Sequence, residues 1–305
     1  MIIPEKLKKG DNIRIIAPSC SGKTISKHKI NAAKKILESI GFTISFGKNI
    51  FELNDLESSS VKSRLKDLHD AFRDKNIKGV LAIRGGYNAN DLLDYIDWGL
   101  IKNNSKVYCG YSDNTALQNA ILAKTGMITY SGPNFTTFGV ETKLDYTLNH
   151  FLNTVTAIET APLKNFGNVQ ILNKGRARGA IIGGNLCTFN LLQGTQYMPD
   201  LNETVLFVED DFISNLDFWE FHRNLQSVIN LPNFQGIKAL VIGKFDKRSR
   251  LPVNKIREIV KSKPELRRIP VIANLSFGHV LPIFTFPIGG NATIDTSKKS
   301  VLTFY

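Results

Sequence analysis

The sequence predicts an α/β protein with a parallel sheet in its first half and a second half that is richer in strands. Short apolar runs alternate with stretches whose apolar residues recur at helical spacing, the pattern of parallel strands joined by crossover helices. Turns that contain glycine follow two of these runs, after Ile83 and after Cys109. The chain has 305 residues, 42% of them hydrophobic, which is enough for two domains.

The elements of the first half can be assigned in order along the chain. Apolar runs predict strands at 12–17, 42–46, 79–83 and 106–109. Apolar residues three and four positions apart predict helices at about 30–40, 61–72, 89–95 and 115–124. Gly41 and Gly126 follow two of these helices, as glycine stop signals do. Ligands bind at the carboxyl ends of parallel strands, so we expect the site near the turns after residues 83 and 109.

The periodic pattern weakens between Asp145 and Asn173, which we interpret as a connection between two domains. We therefore predict an N-terminal domain at 1–150, a connection at 151–172 and a C-terminal domain at 173–305. In the C-terminal part we predict strands at 180–182, 204–208, 239–242, 271–273 and 300–304, with helices at 218–228 and 254–261.

The charge balance allows an anionic partner without identifying one. The chain has 39 Lys and Arg against 27 Asp and Glu, a net charge of +12. These cations are scattered and form no recognisable nucleic-acid module, so a solvated basic surface is the preferred interpretation, and a non-catalytic basic binding protein is the alternative.

Targeting and metal-binding signals are weak. The first apolar run, Ile13 to Ala17, is too short for a signal peptide or a membrane span, which predicts a cytoplasmic protein without membrane contact. Cys20, Cys109 and Cys187 follow no metal-ligand spacing, so we expect no metal and no cofactor.

Ser112 occupies the turn between a predicted strand and a predicted helix, in Val107-Tyr-Cys-Gly-Tyr-Ser-Asp-Asn-Thr115. Such a turn exposes the hydroxyl beside the free N–H groups of a helix N-terminus, where serine nucleophiles are found. Asn114 stands where a G-x-S-x-G turn has its second glycine. A serine at this position is also explained as a helix cap, so the pattern alone leaves both roles open.

A serine nucleophile needs a histidine as base and a carboxylate that orients the histidine. His279 is the one of the five histidines that lies in an apolar segment dense with glycine and proline. A half-buried structural histidine is the other interpretation. Glu209 is the first of three carboxylates that follow an apolar strand, and solvated loop charges are the alternative there.

A second motif points to a different mechanism class. Residues 13–24 (IRIIAPSCSGKT) resemble a strand that leads into a phosphate-binding loop. The G-x-x-x-x-G-K-[ST] pattern requires glycine where this chain has Ala17, and Pro18 removes one backbone N–H group from the loop. A nucleoside triphosphatase of the P-loop kind is therefore the alternative enzyme class.

Five motifs together resemble the LD-carboxypeptidase family of serine peptidases, in order and in spacing, over nearly the whole chain. They are Arg84-Gly-Gly-Tyr-Asn-Ala-Asn90, Cys109-Gly-Tyr-Ser-Asp-Asn-Thr-Ala116, Ile182-Gly-Gly-Asn-Leu-Cys-Thr-Phe-Asn-Leu-Leu-Gln-Gly194, Leu206-Phe-Val-Glu-Asp210 and Phe277-Gly-His-Val-Leu-Pro-Ile-Phe-Thr-Phe-Pro-Ile-Gly289.

The resemblance implies a flavodoxin-like N-terminal domain with the nucleophile, and a strand-rich α/β C-terminal domain of the swivelling, barrel-like type with the acid and the histidine. It implies Ser112, Glu209 and His279 as a catalytic triad, and it implies a homodimer. For the expected mechanism, the backbone N–H groups of Gly86 and Asp113 form the oxyanion hole.

The family resemblance implies that the substrate is a small peptide or a peptidyl-nucleotide. Members cleave the bond before the terminal D-alanine of the murein tetrapeptide, and the microcin C immunity branch cleaves an aminoacyl-nucleotide amide. Tyr87 belongs to a segment that looks closer to that branch, and Phe166 is the one aromatic in the region where that branch stacks a nucleobase. Arg84 is the candidate for a substrate carboxylate, and Asn185 is either a substrate contact or a helix cap.

Overall fold

The computed structural model describes residues 1–140, 142, 144–156, 163–211, 217–249 and 251–304. The strands are β1 Asn12–Ile16, β2 Thr43–Phe46, β3 Ile77–Ala82, β4 Val107–Gly110, β5 Thr129–Ser131, β6 Gln170–Asn173, β7 Arg176–Asn185, β8 Thr204–Glu209, β9 Ile237–Gly243, β10 Val271–Leu275, β11 Phe286–Ile288, β12 Asn291–Asp295 and β13 Leu302–Phe304. The α-helices are α1 Lys27–Ser39, α2 Val61–Arg73, α3 Trp98–Asn103, α4 Asn114–Thr125, α5 Leu144–Val155, α6 Leu186–Asn190, α7 Asp217–Ile229 and α8 Val253–Lys261.

The first sheet has the strand order β11-β5-β4-β3-β1-β2, and β1 to β5 pair in parallel. The β2-β1-β3-β4-β5 part of this order is the flavodoxin-like order, as the sequence resemblance implies. Helices cover parallel sheets on both faces, and accordingly every residue of β4 is buried. The order reverses beside β1, so the carboxyl ends of β1, β3 and β4 border the crevice where such folds bind ligands.

The second sheet has the strand order β13-β12-β7-β8-β9-β10-β6 and curls into a half-barrel. Strands β7 to β10 pair in parallel, and β6, β12 and β13 add antiparallel edges. All six residues of β8 are buried, which explains its continuous apolar sequence up to Glu209. The two sheets do not correspond simply to the two halves of the chain. Strand β11 comes from the C-terminal part, and it pairs antiparallel with β5 of the first sheet.

Helix α4 joins the two sheets. Residues 114–121 of this helix are all buried, on every side of it, as expected of a helix segment enclosed by protein. Asn119 exchanges two hydrogen bonds with the backbone of Gly183, with N···O distances of 2.9 and 3.0 Å. Thr115 Oγ1 accepts the N–H of Asn185 at 3.0 Å. Gly184 is required at this contact, since a Cβ there would lie 2.6 Å from Thr115 Oγ1.

The sequence identified most elements correctly, and three assignments need correction. Residues Ala89–Tyr95 form a 3-10 helix and not an α-helix. The segment at 145–173 that we predicted to be a connection begins within α5 and ends in β6, and its middle, 157–162, lies outside the described residues. The predicted strand at 180–182 is the centre of the ten-residue β7. Within the described residues, no helix has both the length and the apolar character needed to cross a membrane.

Candidate active site

Ser112 lies between β4 and α4 with a backbone φ of +65°, a conformation that non-glycine residues rarely adopt. Strain of this kind persists only where the surroundings enforce it, and it is common at functional sites. Asp113, and not Ser112, is the N-cap residue of α4, so the helix-cap interpretation of Ser112 is wrong. Gly85 packs directly on the serine, because a Cβ on Gly85 would lie 2.8 Å from Ser112 Oγ.

The structure brings Ser112, His279 and Glu209 into one hydrogen-bonded chain. His279 Nε2 lies 3.0 Å from Ser112 Oγ, and His279 Nδ1 lies 2.8 Å from Glu209 Oε2. The backbone N–H of His279 also donates to Glu209 Oε2, at 3.2 Å. The Glu209 side chain is only 2% exposed, at the carboxyl end of β8. Two glycines make room for it, since a Cβ on Gly278 or Gly243 would lie 2.4 or 2.9 Å from its atoms.

The carboxylates after β8 set the charge state of the histidine. Burial alone would lower the pKa of His279, but the charge and hydrogen bond of Glu209, with Asp211 and Asp210, raise it to about 9. Burial raises the pKa of Asp210 to about 8, and the neighbouring charges of Glu209 and Asp211 act in the same direction. The solvated-charge interpretation therefore does not hold for Glu209, which is buried, while Asp210 is half-buried.

Ser112 and His279 open into a cavity of about 460 Å³. This volume is within the range of small-molecule sites. Its wall carries both signs of charge, from the side chains of Lys29, Arg84, Glu57 and Asp211. A wall of this kind suits a substrate that has both anionic and cationic groups.

Four of the other predicted site residues lie at or beside the cavity. Arg84, Gly86 and Tyr87 line it. The Tyr87 side chain is 77% exposed, and Arg84 Nη1 donates to Thr24 Oγ1 at 3.3 Å. Asp113 follows the serine, and it is buried to 2% exposure.

Asn185 and Phe166 do not line the cavity as the described residues form it. Asn185 caps α6, with its Oδ1 accepting the N–H of Thr188 at 3.0 Å. Phe166 is held away by its neighbours: Lys244 Nζ donates to its carbonyl oxygen, and its ring packs edge-on against Tyr146 at 5.6 Å. Of the two roles that the sequence left open for Asn185, the structure therefore displays the helix cap.

Several lining residues were missed by the sequence analysis, and two of them, Tyr111 and Asn134, lie next to the proposed triad or to each other. Tyr111 packs edge-on against the His279 ring, with the centroids 5.3 Å apart. Asn134 lies after β5, and its Oδ1 accepts the N–H of Tyr111 at 3.2 Å. Tyr111 directly precedes the predicted nucleophile, and this position in the sequence could have identified it as a site residue. Nothing in the sequence around Asn134 could have done so, because only the pairing of β5 beside β4 brings it to the site.

The segment that resembles a phosphate-binding loop uses its N–H groups internally. The N–H groups of Ser21 and Gly22 donate to the carbonyl oxygens of Glu57 and Ile50, both at 2.8 Å. The N–H of Lys23 donates to Ser21 Oγ at 3.0 Å. These donors are thus not available to cradle a phosphate, in contrast to a P-loop. In the described part of the chain, no group of three or more His, Cys, Asp or Glu side chains is arranged to hold a metal ion.

Comparison with known proteins gives the same family from both halves of the chain. Residues 13–132 match the model of the LD-carboxypeptidase N-terminal domain, and residues 178–294 match that of the C-terminal domain. The putative carboxypeptidase YocD of Bacillus subtilis is 43% identical over 95% of both chains. A probable murein peptide carboxypeptidase of the same organism is 27% identical, over 98% of this chain and 93% of its own.

Solved structures agree over the full length. The MccF-like protein of Bacillus anthracis superposes with a TM-score of 0.94 at 45% identity, covering 100% of this chain and 99% of the other. The microcin C7 self-immunity protein MccF, known from Escherichia coli and solved in complex with glutamyl sulfamoyl guanosine, has a TM-score of 0.89 at 26% identity, covering 100% and 98%. Together with the two domain matches, these similarities show that the chain belongs to the LD-carboxypeptidase family and is a serine carboxypeptidase-like hydrolase.

Proposed function

We propose that the protein cleaves an amide bond of a small peptide with Ser112 as nucleophile, His279 as general base and Glu209 as the orienting acid. The observation that carries the proposal is the unbroken Ser112–His279–Glu209 hydrogen-bond chain at the wall of a cavity. The geometry matches the separations within which a serine, a base and an orienting carboxylate work together.

In this mechanism His279 Nε2 takes the proton of the Ser112 hydroxyl as Oγ attacks the scissile carbonyl carbon. Glu209 holds the opposite ring nitrogen, so that Nε2 is the free acceptor, and it stabilises the imidazolium that forms. The imidazolium then protonates the leaving amine, and an acyl-enzyme remains. A water molecule, deprotonated by His279, hydrolyses the ester and regenerates Ser112.

The backbone N–H groups of Gly86 and Asp113 are the proposed oxyanion donors. The first belongs to a glycine turn that packs on Ser112, and the second lies at the N-terminus of α4. A helix N-terminus carries free N–H groups and a partial positive charge, both of which stabilise a developing oxyanion.

A peptide with a free terminal carboxylate, such as the murein tetrapeptide, is the proposed substrate class. Arg84 is exposed and lines the cavity, where its guanidinium can pair with a carboxylate in a bidentate manner. Lys29 adds a second cation, while Glu57 and Asp211 can receive an amino group of the same peptide. The probable murein peptide carboxypeptidase among the relatives supports this class.

An aminoacyl-nucleotide is the second candidate, and Tyr87 favours it. Its exposed ring at the cavity offers a face on which a nucleobase can stack. The 45% identity to an MccF-like protein supports this candidate too. Phe166, the one aromatic in the region where the immunity branch stacks a nucleobase, lies outside the described cavity wall, so in this proposal Tyr87 takes that role.

One experiment tests the function and separates the two substrates. The purified protein is incubated separately with murein tetrapeptide and with an aminoacyl-sulfamoyl adenosine, and products are followed by mass spectrometry, with Ser112→Ala as the inactive control. If D-alanine alone is released, the result supports a carboxypeptidase. If the amino acid is released from the nucleoside, the result supports the immunity type. Turnover of neither compound by folded protein contradicts the proposal. The homodimer implied by the resemblance remains part of the proposal, and light scattering tests it. The cytoplasmic location, expected from the short first apolar run, is likewise part of the proposal.

A further inference from the structure

Asp113 follows the proposed nucleophile and ties two separate loops to it. Its Oδ2 accepts the hydroxyl of Ser19 at 2.5 Å and the backbone N–H of Ala89 at 2.8 Å. Ser19 belongs to the loop after β1, and Ala89 stands where the loop after β3 enters the 3-10 helix Ala89–Tyr95. Asp113 itself begins α4, after β4. One buried carboxylate therefore links the carboxyl ends of three neighbouring strands.

This use of Asp113 is unexpected for its position. Aspartate at an N-cap normally accepts an N–H from the first turn of its own helix, which stabilises the helix. Asp113 is the N-cap residue of α4, but its side chain makes no such hydrogen bond. The carboxylate is turned away from its helix and toward the loop that carries Gly86.

Further contacts fix the same loop. Arg64 is almost fully buried, and its Nη1 donates to the carbonyl oxygens of Asn88 at 2.7 Å and Pro18 at 3.2 Å. Ser19 also contacts Gly86 closely, since a Cβ at Gly86 would lie 2.3 Å from Ser19 Oγ. The segment that resembled a phosphate-binding loop thus supplies, at Pro18 and Ser19, support for the Gly86 turn.

We infer that Asp113, through Ser19 and Ala89, is a positioning residue that fixes the Gly86 N–H relative to the Asp113 N–H, and so sets the geometry of the oxyanion hole. The two N–H groups lie on different loops, and the Asp113 side chain links these loops through its hydrogen bonds to Ser19 and Ala89. Oxyanion donors act through preorganisation, so a displaced donor loses its effect although it remains present. The inference rests on the proposed function, and it adds a role for the Asp113 side chain.

A fluorophosphonate probe tests the inference. In the labelling reaction Ser112 Oγ forms a bond to phosphorus, fluoride leaves, the serine proton passes to His279, and the phosphoryl oxygen takes the oxyanion position. We expect Asp113→Ala to be labelled at least about tenfold more slowly than the wild type. Asp113→Asn keeps an oxygen acceptor, so it should be labelled several times faster than Asp113→Ala. With substrate, kcat should fall while KM changes little, and the acid limb of the pH profile should not move.

Asp67→Ala is the matched control. Asp67 is likewise buried to 4% exposure and accepts the N–H of Asn49 at 2.9 Å, but it does not line the cavity. It should lose thermal stability and keep the wild-type labelling rate. If Asp113→Ala does not fold, Ser19→Ala takes its place, with slower labelling expected for the same reason.

The outcomes separate the two proposals. A folded wild type that is not labelled at Ser112 would contradict the proposed function and remove the basis of the inference. If the wild type is labelled at Ser112, and folded Asp113→Ala (or Ser19→Ala in its place) is labelled at the same rate, the inference alone is wrong. Equal slowing in Asp67→Ala would also overturn it, since the effect would then be one of general stability.

Discussion

His279 and Ser112 are 167 positions apart in the chain, and His279 Nε2 lies 3.0 Å from Ser112 Oγ. The histidine comes from the loop between β10 and β11, and the serine from the turn between β4 and α4. The family resemblance implied that these two residues belong to one catalytic triad, although they come from different parts of the chain. This distance is already that of a hydrogen bond, so no hinge motion is needed to bring the two atoms together.

Replacing Ser112 with alanine tests the nucleophile. The change removes one oxygen and leaves the strained turn in place, so we expect kcat to fall by roughly 10⁴ or more while the melting temperature stays near that of the wild type. Steady-state kinetics and thermal unfolding measure the two quantities. Ser39→Ala, at the exposed end of α1, is the control and should keep full activity. A folded Ser112→Ala protein within tenfold of the wild type would contradict the assignment.

Glu209→Gln tests the orienting acid. The amide keeps the shape of the side chain, but it removes the charge that stabilises the imidazolium and no longer fixes the tautomer. We expect kcat to fall by roughly 10² to 10⁴, less than for Ser112→Ala. Glu203→Gln, at an exposed carboxylate paired with Lys238, is the matched control and should be unaffected. Unchanged kcat in Glu209→Gln would remove this residue from the triad.

The acid limb of the pH profile of kcat/KM should lie at alkaline pH. The base must be neutral to accept a proton, and the pKa of His279 is raised to about 9. Activity should therefore increase as the pH rises through this pKa, with the acid limb well above the ordinary histidine value of about 6.5. Asp211→Asn removes one of the charges that raise the pKa, so it should move the limb to lower pH. A wild-type limb centred below 6.5 would contradict the prediction.

Gly278→Ala tests the space around the acid. Gly278 has φ +100°, and a Cβ there would lie 2.4 Å from Glu209 Oε2. The variant must displace the carboxylate, so we expect kcat to fall at least about tenfold, with backbone strain of about 1–3 kcal/mol. Gly194→Ala is the matched control, because φ is +75° there and a Cβ would meet nothing within 4 Å. It should show the strain as a lower melting temperature and retain its kcat. Equal kcat values for the two variants would argue against the steric explanation.

Nucleoside triphosphates should not affect the reaction. The N–H groups of Ser21, Gly22 and Lys23 are used within the protein, so residues 13–24 offer no phosphate cradle. We expect Lys23→Ala to keep full amidase activity, and ATP neither to be hydrolysed nor to change the rate. Saturable ATP hydrolysis that Lys23→Ala abolishes and Ser112→Ala leaves intact would instead support the P-loop alternative.

Several features followed from the sequence because they depend on local chemistry. Apolar runs and helical spacing located β1 to β4 and α4 within a few residues, since burial on one or both faces imposes a period on the chain. The turn at Ser112 was visible because a strand, a glycine and a helix start follow one another within a few residues. Helix α5 and strand β6 were not recognised, because their pattern is weak and their burial depends on packing against distant elements.

The sequence by itself determined the α/β class and the turn between strand and helix at Ser112. It also determined the family, through five motifs that resemble it in order and in spacing. Only the tertiary structure decided which side chains reach the cavity. It brought Asn134 to Tyr111 at the cavity wall and left Asn185 as a helix cap. It also held Phe166 outside the cavity wall and turned Asp113 away from its own helix toward Ser19 and Ala89. The physical reason is that a period in the sequence reports whether a position is buried, whereas the partner of a buried polar group is set by strand order and loop packing between distant segments.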